Sequence, residues 1–123
     1  LLVKYRDSFQ KIAMGLLSFI PDLKDIDRIN KELDWYASSD DRNLYLQKNE
    51  AGDFIGLVGV EKQDQYLMIH HLAFIPQQQT EGNEQDIFNS LTNYYPDLQM
   101  MGTLETSPAL ARWEKRKFDQ HGE

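Results

Sequence analysis

The sequence predicts a mixed α/β fold of five strands and four helices in the order βααβββαβα, a central mixed sheet flanked by helices. Three observations carry this. Apolar residues recur at three- and four-residue steps in three separate segments, and a Ser-Pro pair opens a fourth helix. Turn signals at "NEAGD" (49–53) and "KQDQ" (62–65) separate three strand-like runs into antiparallel hairpins. From residue 66 to 105 the chain reads as strand, turn, helix and strand, a crossover that joins parallel strands.

In order, "LLVKY" is rich in strand formers and leads to Asp7 and Ser8, either suited to cap a helix. Phe9, Ile12, Ala13, Leu16, Leu17 and Ile20 then form one apolar stripe that Pro21 stops. Leu23, Ile26, Ile29, Leu33 and Tyr36 repeat the pattern in a second helix with a charged outer face. "NLYLQK" and "FIGLVGVEK" pair as a hairpin. "YLMIHHLAFI" (66–75), apolar on both faces apart from its histidines, reads as a central strand. Ile87, Phe88, Leu91 and Tyr94 or Tyr95 mark a helix ended by Pro96, and "LQMMGTLE" (98–105) is the last strand. Ser107 and Pro108 open the final helix as cap and first residue. Residues 1–118 form one domain and 119–123 a short tail.

With 123 residues, 41% of them hydrophobic, the chain has material for one core. A net charge of −7 argues against nucleic acid or a membrane surface as partner, since both are held through clustered cations. No cysteine is present, which excludes thiol chemistry and fits a cytoplasmic protein. The run "IAMGLLSFI" (12–20) is too short to span a bilayer. His70 and His71, adjacent on a strand, are expected on opposite faces, and no third ligand lies at a motif spacing, so no metal site is expected.

"FIPQQQTEGNEQDIF" (74–88) passes from a strand through Pro76 and Gly82 into a helix. Such a turn presents free backbone N–H groups at the positive end of a helix dipole and suits a diphosphate, although structural needs alone also place glycine or a polar cap there. Lys and Arg are absent between Lys62 and Arg112, so the stretch offers Glu81 and Glu84 no local cation, and anion binding is expected to be weak.

The turn and the element order resemble the GCN5-related N-acetyltransferases, the GNAT family, over most of the chain. The family pattern of a small apolar segment, Pro, Gln or Arg, two residues, Gly, any residue, then Gly or Ala is met by "LAF" (72–74), Pro76, Gln79 and Gly82, with Glu84 in the last place. A second pattern, Asn, two residues, Ala, three residues, then Tyr-Glu-Lys and Gly-Phe, is matched by Thr106, Ala109, Trp113, Glu114, Lys115 and Phe118. More narrowly, "KIAMGLLSFIPDLKD" and "VGVEK" look like the short RibT-like proteins of bacterial riboflavin operons.

The resemblance implies a sequential transfer of acetyl from acetyl-CoA to a small amine, with no metal. Leu72, Ala73 and Phe74 would pair with the pantetheine arm, and Gln79, Thr80, Glu81, Gly82, Asn83 and Glu84 would wrap the diphosphate, with Thr106 at the second motif. His70, sharing the parity of Leu72 and Phe74, is the first candidate for the general base, with His71 and Glu61 as alternatives. Trp113 stands where family members carry the Tyr that protonates the departing thiolate, and an indole N–H donates a hydrogen bond without that acidity. It either meets the sulfur or packs the last helix on the sheet. These departures leave open a non-catalytic binding or accessory protein linked to riboflavin metabolism. The family's usual closing strand pair is largely missing, which would leave the last strand as an edge inviting a homodimer.

Overall fold

The computed structural model describes residues 1–121. Its elements are β1 (Leu2–Lys4), α1 (Gln10–Leu17), α2 (Ile26–Ala37), β2 (Arg42–Lys48), β3 (Phe54–Gln63), β4 (Tyr66–Phe74), α3 (Glu81–Tyr94), β5 (Gln99–Gly102) and α4 (Ser107–His121), in the predicted order. One sheet holds the strands in the order β1-β2-β3-β4-β5, antiparallel throughout except for the parallel pair β4 and β5. The crossover through α3 makes that pair parallel.

Side-chain alternation divides the core. Leu44, Leu46 and Leu57 meet Ala13, Leu16 and Leu17 of α1 and Ile29, Leu33 and Tyr36 of α2 on one face. Val58, Val60, Leu67, Ile69 and Phe74 meet Ile87, Phe88 and Leu91 of α3 and Ala109 and Leu110 of α4 on the other. Ile26, expected in the apolar stripe, is exposed, because α2 starts at that residue, where Asp25 caps it by accepting from the Asp27 N–H. A 3-10 turn over Asp7–Phe9 takes the place of a side-chain cap on α1. The β3–β4 hairpin is tighter than "KQDQ" suggests, with Asp64 in the left-handed region at φ 51°.

Two irregularities shape the site. Between Gly59 and Val60 the register with β4 slips: Gly59 faces His71 and Val60 faces Ile69, which leaves His70 as an extra residue, a β-bulge. Beyond the bulge the period of two restarts, so His70 and His71 share the α2 face, while Leu72 and Phe74 lie on the other. The expectation of opposite faces, and of shared parity between His70 and Leu72, is thereby corrected.

The second irregularity is the short β5. It pairs Gln99–Gly102 with Tyr66–Ile69 and stops, where residues 98–105 were expected as strand. At Gly102 an added Cβ would lie 2.9 Å from the backbone of Ser107, so the chain folds straight back into α4. The Thr103 N–H donates to Thr106 Oγ1 at 2.9 Å and closes the turn. Residues 70–74 of β4 thus keep β3 as neighbour on one side and, among the described residues, have no ladder partner on the other. Among the described residues no strand follows β5, and α4 runs on to His121, past the boundary expected at residue 118; the last two residues of the expected tail lie outside the described ones.

Candidate active site

Where β4 and β5 part, a cavity of about 250 Å³ opens, lined by His70, His71 and Leu72 of β4, Glu32 of α2, Glu105 and Thr106 before α4, and the α1–α2 connection at Ile20, Asp22 and Leu23. Three carboxylates line it and no Lys or Arg does. Its floor is the bulge, which turns two consecutive imidazoles into one space.

Glu61 on β3 and His70 form a pair, Glu61 Oε1 to His70 Nε2 at 2.9 Å. The hydrogen bond from His70 holds the Glu61 carboxyl below its usual range, with Gln63 and Arg42 adding to the effect. An ionised carboxylate only accepts, so Nε2 carries the hydrogen and Nδ1 is the lone-pair nitrogen of the neutral ring. Arg42, paired with Glu61 across the β2–β3 ladder, donates from Nε to Glu61 Oε2 at 3.2 Å and lies 4.1 Å from the centre of the Trp35 ring. Trp35 in turn meets His70 edge to face at 4.9 Å. Carboxylate, cation and indole together fix the imidazole's tautomer and plane. His70 and Glu61, two separate sequence candidates, are one unit.

His71 has a different character. Its Nδ1 is hydrogen-bonded to the Tyr36 hydroxyl, and Nε2 lies 3.6 Å from Glu32. Burial, aided by the neighbouring His70, brings its pKa down to about 4, while burial raises that of Tyr36. His71 is thus a neutral ring hydrogen-bonded at Nδ1. Its folded pKa lies below the unfolded value near 6.5, so between the two the unfolded chain binds the proton more tightly and acid favours unfolding. Stability should fall as pH drops from 6.5 towards 4, by a few kcal/mol on linkage arithmetic, with Glu61 adding to the loss at lower pH. Denaturant midpoints at pH 7 and pH 4.5 measure this, and His71→Asn should flatten the dependence.

Thr80 caps α3, its Oγ1 accepting from the Asn83 N–H at 3.1 Å, and Asn83 Nδ2 donates to the Gln78 carbonyl at 2.7 Å. The amides of Glu81 and Gly82, in the first helical turn, are left without an intrahelical acceptor. Gly82 has no positive φ, and a Cβ added there would meet only Thr80 Oγ1, at 3.9 Å. Nothing among the described residues requires glycine at 82, and the lack of a side chain leaves the backbone there open to close approach. Free amides, a helix dipole and an open glycine fit a diphosphate.

Glu84 does not enter this cradle. It is buried between α3 and α4, its carboxylate held by Arg112 through contacts of 3.3, 3.1 and 2.9 Å. Arg116 lies 3.7 Å from Glu81 in the same way. The expectation that no cation offsets these acids is corrected: α4 brings two, from far along the chain, and the premise for weak binding falls with it.

Other sequence candidates separate. Leu72 is half-buried and Ala73 and Phe74 are buried side chains, while their strand keeps its open backbone edge. Gln79 ends the 3-10 turn Pro76–Gln78 and is exposed. Thr106 is buried, its hydroxyl donating to the Ile69 carbonyl at 2.8 Å, and so ties α4 to the last residue of β4 that pairs with β5. Trp113 stays out of the His70 cluster: its indole donates to Asn89 Oδ1 at 2.9 Å and packs on Phe88. Among the described residues no group of three or more His, Asp or Glu side chains forms a metal-ligating cluster, and no helix is long and apolar enough to cross a membrane. Arg42 and Trp35 escaped the sequence reading, which took Tyr36 only as part of an apolar stripe and Arg112 as the cation that ends the stretch after Lys62; Arg42 left a signal through the hairpin register that sets it opposite Glu61.

No family model matches the chain. Its sequence is 35% identical over 115 residues, covering 93% of this chain and 95% of the relative, to an uncharacterized N-acetyltransferase in the lysA 3' region of Bacillus methanolicus. In structure it resembles a spermidine N-acetyltransferase from Vibrio cholerae in complex with CoA and spermine, with a TM-score of 0.70 and 13% identity over 94% of this chain and 78% of that one. It also resembles the aminoglycoside 6'-N-acetyltransferase AAC(6')-Ih from Acinetobacter baumannii, TM-score 0.68 and 10% identity over 94% and 87%. AAC(6')-Iy, in complex with a CoA-based bisubstrate analog, gives a TM-score of 0.71 and 9% identity over 93% and 86%. These structural likenesses concern the fold alone. Joined to the relative matched along nearly its whole length, they show that the chain belongs to the GNAT N-acetyltransferase family.

Proposed function

We propose that the chain transfers an acetyl group from acetyl-CoA to a small cationic amine by direct attack. The observation that carries this is the Glu61–His70 pair opening on the cavity at the parting of β4 and β5, one strand end away from the Gly82 cradle. In this reading the amides of Glu81 and Gly82 hold the diphosphate, and the open edge of residues 70–74 takes the pantetheine arm. The neutral form of the amine bonds the thioester carbon through its nitrogen, and His70 Nδ1 accepts, directly or through water, the proton that this nitrogen then gives up. The carbon–sulfur bond breaks with its electron pair passing to sulfur, so that CoA leaves as the thiolate and takes its proton from solvent. Glu61 stabilises the imidazolium so formed. Asp22, Glu32 and Glu105 favour a positively charged acceptor, and the wall carries no cation to oppose it. The neighbours named for spermidine and aminoglycoside substrates are in keeping with such an acceptor.

Gly82→Ala tests the cradle with two readouts that move oppositely. Thermal stability should hold or rise by up to about 1 kcal/mol, as alanine favours a helix over glycine. Acetyl-CoA affinity should drop about tenfold, because the new methyl stands where the diphosphate approaches the amides. Unchanged affinity would mean that the cradle holds nothing.

A second reading keeps the fold as a non-catalytic accessory protein, in line with the resemblance to RibT-like proteins. Trp113 favours it: with its N–H given to Asn89, it offers the departing sulfur no acid group. Saturable acetyl-CoA binding without thiol release across a panel of amines would select this reading.

A further inference from the structure

We propose that Arg112 is a positioning residue for the acyl donor: its ion pair with Glu84 keeps a carboxylate out of the diphosphate cradle and so sets the affinity for acetyl-CoA. The inference rests on the reading of the Gly82 turn as that cradle. The last place of the turn motif calls for glycine or alanine, and here it holds glutamate, four residues after the helix cap Thr80. A side chain of that length has two ways to go, outward over the free amides or inward between the helices. It goes inward: the Glu84 side chain is 8% exposed, and Arg112 on α4 covers both its oxygens, Nη2 at 3.1 and 2.9 Å and Nε at 3.3 Å.

The forked geometry is what permits this burial, since a carboxylate taken from water is retained only when paired and hydrogen-bonded. Arg112 itself stays 48% exposed, so its charge faces both the acid and the solvent. Without Arg112 the Glu84 carboxylate returns to water by way of the first helical turn, where it also lies closer to the positive end of α3. There it repels a diphosphate across a few ångströms and competes for the same potential. The more exposed pair Arg116–Glu81, at 3.7 Å, repeats the arrangement in weaker form. A departure that reads in sequence as damage to the cradle is in the folded chain a neutral pair.

The test is acetyl-CoA titration and steady-state kinetics of the wild type, Arg112→Gln, Glu84→Gln and the double variant, each first checked by thermal melting. Arg112→Gln should weaken acetyl-CoA about tenfold in low salt and less than about threefold in 0.5 M salt, where exposed charges are screened. The loss should fall on KM and leave kcat within about twofold, as expected of binding common to ground and transition state. Glu84→Gln in the same chain should restore affinity to within about threefold of wild type, because the unpaired acid is gone. Should Arg112→Gln fail to fold, Arg112→Lys, which keeps the charge and loses the fork, is expected to show a smaller loss that is likewise repaired by Glu84→Gln. An Arg112→Gln protein that binds as wild type overturns the proposal. So does a loss that neither salt nor Glu84→Gln reverses, since Arg112 would then touch the ligand itself or serve only the fold. A wild type that binds no acetyl-CoA removes the cradle reading and this inference together, whereas binding by the wild type with unaltered variants removes the inference alone.

Discussion

Replacing His70 with alanine is expected to lower kcat by about 10²- to 10⁴-fold while KM for acetyl-CoA stays nearly constant, the range associated with loss of a general base. In the proposed mechanism the effect is large because several side chains are assembled around the proposed base. Glu61 selects the tautomer, Arg42 and Gln63 hold Glu61, and Trp35 fixes the ring plane. Glu61→Gln should give a smaller loss, since an amide can still orient the ring but stabilises the imidazolium less. His71→Asn should change kcat by less than about fivefold, because that ring is neutral and its Nδ1 is already hydrogen-bonded to Tyr36. Initial rates of thiol release with a fixed amine compare the three. Equal losses at His70 and His71 would point to a role in packing the bulge rather than in moving a proton.

Gly59→Ala is expected to destabilise the fold by about 3 kcal/mol and to lower Tm by on the order of 10 °C. An added Cβ would lie within clashing distance of the Tyr36 hydroxyl and ring, and Tyr36 is a buried core side chain. The glycine of "VGVEK" thus serves a close approach: it lets the α2 tyrosine reach across β3 to the imidazole of His71. Tyr36 must move to admit a methyl, which breaks that hydrogen bond and disturbs the site floor. Tyr36→Leu in the Gly59→Ala background should return part of the lost stability, a non-additivity that a double-mutant cycle in denaturant reads directly.

The fold was legible because its signals are local. Helical spacing, the "NEAGD" turn with Gly52 at φ 87°, and Pro-marked helix ends each act within a few residues. The chemistry was legible in part. Glu61 and His70 stood out as titratable groups on strands, and Gly82 as an open turn. What could not be read was the pairing of distant positions. The bulge that brings His70 and His71 to one face is a one-residue slip of register, invisible to a period of two counted along a single strand. The cation for Glu84 arrives 28 residues later, on another helix, and no local rule links the two. Trp113 matched a motif by spacing, but its indole bonds to Asn89, so the match tells where α4 packs and not what the residue does.

The central claim, that the amides around Gly82 cradle the diphosphate of an acyl donor, is tested most directly by isothermal titration of the purified protein with acetyl-CoA. The prediction is one saturable site per chain, competed by free CoA, with a dissociation constant at or below about 100 μM, equivalent to about −5.5 kcal/mol. Absence of saturable heat at millimolar acetyl-CoA, with the protein folded by its thermal melt, would contradict it.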